Sequence, residues 1–320
     1  MDSAILADPM EGLVLASAAA VLVGILAERR WGSRAKAVSG RLLEAVVYLV
    51  MPVVVFFTIT QLDFTRSVGA GLAFGWAERL VSLALAAVIG IRLLHLPRPA
   101  LGALMVSVVI ANTGYLGIPL TAMLLGSGDE QVGLAVAYEN LVNVPVVLSI
   151  GFAIGAAFGT KAGRSGRDRL KAFLLRNPPL YALIAALLIG DSFHPEWGHD
   201  LAHALALGIA PIGFFALGVN LMLESERSGA RIFPPPMTGA IGTAIGIRLV
   251  AAPAVMLLLS TLVIDVPDTF LLEAAMPSGI NALVVSHLYG LDMRVTVGAI
   301  TWTTALVVAI AAAAPLAGLG

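Results

Sequence analysis

Ala111-Asn112-Thr113-Gly114-Tyr115-Leu116-Gly117-Ile118-Pro119-Leu120 lies near the middle of an uncharged run from Pro99 to Gly128. Glu273-Ala274-Ala275-Met276-Pro277-Ser278-Gly279-Ile280-Asn281 occupies a comparable place in the second half of the chain. Both runs are apolar enough to read as membrane helices, yet each carries a proline among glycines and hydrogen-bonding side chains. Proline removes an amide and clashes with the carbonyl one turn back, so each helix is expected to open into two halves, near Pro119 and near Pro277. Non-helical backbone at bilayer depth is tolerated only where protein or a water-filled cavity covers it. One such break reads as an ordinary kink; two at matched positions read as a site. Opened halves expose amides and positive dipole ends, which suit a small anion, most simply a carboxylate. The substrate-binding set read from the two breaks is Asn112, Thr113, Gly117, Pro119, Pro277, Ser278, Gly279 and Asn281.

Outward from these stretches, the whole chain has the composition of an integral membrane protein: 320 residues, 59% hydrophobic and 12% charged. Nineteen basic residues against twenty acidic ones leave no excess to neutralise phosphates, which excludes nucleic-acid binding. The absence of cysteine excludes disulfides, thiol catalysis and thiolate-bound metals. Asp2, Asp8 and Glu11 precede the first apolar run, the reverse of a signal-peptide start, so the first helix is expected to be retained.

Runs free of charge predict ten spans: Gly12–Ala27, Ala45–Leu62, Leu80–Ile91, Pro99–Gly128, Asn140–Thr160, Asn177–Gly190, Leu201–Leu223, Ile232–Ile264 interrupted by Arg248, Ala274–Leu291 and Val295–Gly320. With ten spans, sixteen of the nineteen basic residues fall on one side, including Arg29 to Arg41 and Lys161 to Arg176, and Arg66 alone on the other. Basic residues in short loops stay cytoplasmic, so both termini are expected outside. Five spans per half make two inverted repeats, residues 1–160 and 177–320, joined by a basic cytoplasmic linker, 161–176. Pro52, Phe56, Gln61 and Leu62 recur as Pro211, Phe215, Asn220 and Leu221 at the same offsets. The linker reads as a topogenic segment, too short for a regulatory domain.

Charges inside spans are costly. Glu78, Arg79, Glu139, Arg248 and Glu273 qualify. They read either as core ion pairs or, for Glu139 and Glu273, as proton carriers or part of a cation site, with Arg248 as a counter-charge to an anion. His199 and His203 are spaced i, i+4 beside acidic residues, but without an HExxH pattern they read as a solvated loop, and no metal site or cofactor is expected. Gly151-x-x-x-Gly155-x-x-x-Gly159 and Gly242-x-x-x-Gly246 read as small-residue faces for close helix packing.

The segment Asn112 to Leu120 with Gly126 resembles the fourth helix of the auxin efflux carrier family, and Ala274 to Ile280 with Tyr289-Gly290 resembles its ninth. Pro211 to Leu221, Pro52 with Phe56, and Arg248 to Pro253 are similar to its seventh, second and eighth helices. This resemblance implies the bile acid–sodium symporter fold. In it, spans four and nine cross at their prolines between a scaffold of spans one, two, six and seven and a transport domain of spans three to five and eight to ten. It further implies elevator-type movement, a homodimer, and Asn112 and Asn281 as contacts to the substrate carboxylate. The long central loop of the plant members is missing, which argues against auxin and phosphorylation control. The expected function is secondary transport of a small organic anion across a bacterial inner membrane. A sodium-coupled importer of the same fold is the alternative, a channel a lesser one. No catalytic residues are expected, since neither a metal-binding helix motif nor a nucleophile elbow occurs.

Overall fold

The computed structural model describes residues 9–59, 69–125, 129–161, 165–189, 193, 195–228 and 234–313. The described residues are helical throughout, and the sole β-type pairing among them is one isolated bridge. Helix α1 (Pro9–Trp31) is followed by α2 (Ser33–Ala45), which runs through a π-helical turn, Val46–Val50, into α3 (Met51–Ile59). Helix α4 (Gly69–Val88) ends in a second π turn, Ile89–Leu93. Next come α5 (Arg98–Val109), a π turn at Thr113–Gly117, α6 (Ile118–Leu124) and α7 (Asp129–Tyr138). Two further π turns, Glu139–Asn143 and Val147–Gly151, flank α8 (Val144–Val146) and lead into α9 (Phe152–Phe158).

After α10 (Gly166–Leu175) the chain forms α11 (Pro178–Ile189) and α12 (Glu196–Ser228), which passes through Pro211 without a break. Helices α13 (Gly239–Gly246) and α14 (Ala252–Leu262) flank a π turn at Ile247–Ala251; α15 (Asp268–Ala274), α16 (Asn281–Tyr289) and α17 (Met293–Ala313) complete the described chain. Five continuous segments among these are long and apolar enough to cross a bilayer: Ser33–Phe57, Gly69–Leu93, Gly133–Phe158, Gly239–Leu262 and Met293–Ala311. Their exposed surfaces carry Leu49, Leu93, Val250 and Leu262, which water would penalise and lipid accepts.

Packing falls into two groups. Helix α12 lies along α1 and against α2 and α3, and α11 packs on α3. Helices α4, α5, α9, α13, α14 and α17 pack among themselves, with α15 and α16 inserted between them. Of the predicted small-residue faces, Gly155 and Gly159 lie against Tyr289 at the end of α16, whereas Gly242 and Gly246 face open space. Among the described residues, that second glycine pair therefore meets no neighbouring helix at its Cβ positions. The basic linker does more than its charge alone requires. Lys161 Nζ donates to His287 O at 2.8 Å, Arg176 Nη1 to Leu288 O at 3.2 Å and Thr160 Oγ1 to Gly290 O at 2.9 Å, so it closes the carbonyl end of α16. Helix α10 opens with a capping box in which Ser165 and Asp168 exchange hydrogen bonds, holding the Asp168 carboxyl below the usual carboxylate range.

Candidate functional site

The two broken helices meet at their breaks. Helix α5 ends at Val109 and helical structure resumes at Thr113; α15 ends at Ala274 and α16 begins at Asn281. Between them Ala111 pairs with Ser278 as an isolated antiparallel bridge. Asn112 N–H donates to Pro277 O and Gly279 N–H to Ile110 O, both at 2.8 Å. Ser278 N–H donates to Thr303 Oγ1 at 3.1 Å, and Ala111 N–H to Asn143 Oδ1 at 3.3 Å. Most of the main-chain donors that the sequence leaves free in the breaks are thus answered by protein, as buried amides require. This corrects the expectation of bare main-chain donors facing a guest.

The prolines also play unequal parts. Pro277 sits in the crossing and supplies one of its carbonyls, whereas Pro119 lies in the first turn of α6, beyond the π turn that follows the break. Proline is at ease in a first turn, where its missing N–H has no partner to lose. The first break is set instead by Ile110 in extended conformation, by Asn112 outside the helical region and by the Asn143 amide, which bonds both the N–H and the carbonyl of Ala111. Gly279 permits the crossing itself, because a Cβ there would lie 2.5 Å from Ala111 O.

Side chains of the predicted set divide in two. Thr113 donates its hydroxyl to the Glu139 carboxylate, and Ser278 donates to Ser107 O at 2.6 Å, so both serve the fold. Asn112 is buried with an unpartnered Oδ1, and Asn281, at the first turn of α16, likewise has a buried Oδ1 without a partner. Amide groups left open on both sides of one crossing are unusual, since buried polar atoms are nearly always bonded. Gly117 points away from the crossing toward Glu273, whose carboxyl carbon would stand 2.7 Å from an added Cβ.

The charged residues form a second layer. Arg248, fully buried in the π turn between α13 and α14, donates to Ala274 O and Met276 O at 2.9 Å and to Val108 O at 3.3 Å. It closes the carbonyl ends of α5 and α15, where a cation is favoured by the helix dipole. Its Nη1 also meets Glu78 Oε1 at 3.2 Å, while Glu78 Oε2 lies 3.4 Å from Arg79 Nε. Glu139, partly exposed at the head of its π turn, accepts from Thr113 and, at 3.0 Å, from Asn143 Nδ2. Glu273 is fully buried and meets Thr121 Oγ1 at 3.4 Å. Asn143, Ser107 and Thr303 are the positioning residues that sequence reading passes over. Only Asn143 carries a signal, standing four residues after Glu139 in an otherwise apolar stretch.

A cavity of about 490 Å³ lies elsewhere, among the starts of α5, α13 and α17, and is lined by Leu94, Pro236, Thr238, Ile241 and Arg294. It touches none of the crossing residues. Among the described residues no cluster of three metal-ligating side chains occurs, and the side chains of His194, His199 and His203 lie outside them, as does Gly126.

Helices broken and paired across one buried crossing, in an apolar helical chain, define a class, the multi-pass membrane transporters. Comparison with known proteins agrees: residues 168–313 match the family described as membrane transport protein. The chain is also 26% identical over 272 residues to an uncharacterized transporter of Methanocaldococcus jannaschii, covering 81% of this chain and 83% of that one. The match over the second half of the chain and the likeness over most of its length support a membrane transporter rather than an enzyme.

Proposed function

We infer that the protein is a secondary carrier of small organic anions, with a carboxylate guest held at the crossing by Asn112 and Asn281. The observation that carries this reading is the pair of asparagines, one from each broken helix beside the Ala111–Ser278 bridge, whose buried side-chain oxygens have no partner. A side-chain amide turns its NH₂ toward an anion as readily as its oxygen toward a donor. Thr113, Ser278 and Gly279 shape the crossing without needing to touch the guest. A discontinuous helix pair with inverted halves is the arrangement in which many secondary transporters hold substrate near the bilayer midplane.

The separate packing of α1–α3, α11 and α12 supports a scaffold of spans one, two, six and seven, with the remaining helices as a moving unit. On this reading the chain makes ten spans with both termini outside, acts in a bacterial inner membrane as a homodimer, and moves its guest by an elevator stroke. The test is a thermal-shift screen of purified protein against mono- and dicarboxylates, followed by flux of any hit in proteoliposomes. Stabilisation and flux by at least one carboxylate are expected. Stabilisation only by cations or neutral solutes overturns the anion assignment, and single-channel currents overturn the carrier. Uptake that follows a sodium gradient and ignores a proton gradient favours the sodium-coupled alternative.

A further inference from the structure

The buried charges beside the crossing do not balance, and the imbalance points to a proton. Two arginines, Arg79 and Arg248, stand with three glutamates, Glu78, Glu139 and Glu273; all but Glu139 are fully buried. Uncompensated charge in such a place is expensive, so the cluster is held neutral by one bound proton. Glu78 lies between both arginines and also accepts from Ser82 Oγ at 2.9 Å, which makes it a charged member.

Geometry separates the other two. Glu139 accepts from the Thr113 hydroxyl and the Asn143 amide, and it lies at the amino end of the helical segment beginning at Thr113, where negative charge is favoured. Glu273 sits in the last turn of α15, at the carbonyl end, where negative charge is disfavoured. It has one hydroxyl contact at 3.4 Å, while its Oε2 is buried without a partner. An ionised carboxylate so poorly bonded costs far more than a neutral carboxyl. We propose that Glu273 is the proton-binding site of this transporter, neutral in the anion-admitting form, with Glu139 as the ionised member of the pair.

The groups facing Glu273 come from every element around it. Arg79 on α4, Tyr138 on α7, Glu139 on the following π turn and Thr121 on α6 interact with it; the other charged or titratable groups on the surrounding elements are Glu78 on α4, Tyr115 in the turn before α6 and Arg248 in the turn between α13 and α14, while Asp268 on α15 itself is exposed. Among the described residues Arg79 meets Glu78 at 3.4 Å and the Tyr138 ring face at 5.8 Å, with its three nitrogens otherwise unpartnered. It is therefore the positive charge left to offset Glu139. When the Glu273 proton departs to water, the cluster gains a net negative charge that opposes an anionic guest. That last step rests on the carrier reading above; the protonation itself does not.

Two measurements test the proposal. Infrared spectroscopy of the purified full chain should show a buried carboxylic-acid C=O band at neutral pH, abolished by Glu273→Gln and retained in Glu139→Gln. With acetate and malonate as probes, thermal-shift affinity should fall by about tenfold per pH unit above the titration, the slope for one linked proton, and Glu273→Gln should flatten that profile. The proposal is overturned by absence of the acid band in the wild-type protein, by its loss in Glu139→Gln instead, or by an unchanged pH profile in Glu273→Gln. If neither probe binds, the carboxylate reading is what fails for those probes, and the infrared result still decides where the proton sits.

Discussion

Asn112 and Asn281 share one feature: their side-chain oxygens have not been enlisted by the fold. Replacing either with alanine should therefore leave the protein folded, with about 1 kcal/mol or less lost to the small cavity, while reducing carboxylate affinity at least tenfold. Calorimetric titration alongside thermal melts checks both halves, and unchanged affinity in both variants counts against the crossing as the binding site. Gly117 is the opposite case. Its missing side chain is what lets the Glu273 carboxyl lie against the helix, so Gly117→Ala should destabilise by about 1–3 kcal/mol through overpacking, seen as a lowered melting temperature.

Among the elements, the two half-helices α5 and α15 share a single cap. Arg248 satisfies carbonyls at the ends of both and pairs with Glu78, so removing it takes one of two cations from a buried acid and leaves several carbonyl acceptors unbonded. Arg248→Met should cost about 3–5 kcal/mol, the usual consequence of breaking a buried pair, and Glu78→Gln in the same chain should recover part of it. A double-mutant cycle in detergent melts measures that coupling; strict additivity would mean that the pair contributes nothing. Asn143 has the corresponding role on the other side of the crossing, where its amide fixes the bend at Ala111. The sequence marks these helices and the presence of two interruptions, because apolar length and proline are local signals. It misplaces the first break, since Pro119 suits a helix start as well as a kink, and the choice fell to a contact from a distant span.

For the whole molecule, the meeting of α2 with α16 is where movement should be visible. Gly40 touches the His287 ring, with a Cβ at Gly40 lying 3.0 Å from His287 Cε1. Because the chain has no cysteine, Gly40→Cys with His287→Cys forms a clean reporter pair. A bifunctional methanethiosulfonate that fills the gap left by the imidazole should cross-link it and stop flux in proteoliposomes, with recovery on reduction. Full flux in a fully cross-linked sample would exclude sliding between the two packing groups. Single cysteines at Arg34 and Asp265 check the sidedness read from the basic loops, the first labelled only from the cytoplasmic face and the second only from outside.

Membrane residence, helix positions and the presence of two interruptions were already legible in 320 letters, because hydropathy, proline chemistry and the sorting of basic residues act over a few neighbours at a time. The family resemblance also singled out Asn112 and Asn281, but the reason that these two stay open was not legible there. Whether Thr113 and Ser278 or Asn112 and Asn281 remain available depends on which distant groups, Glu139 and Ser107 among them, arrive within bonding range. The same holds for Arg248, which sequence offers as a counter-charge to a guest and folding assigns to three carbonyls and Glu78. Bonds between spans far apart in the chain are settled by packing, and no local pattern encodes them.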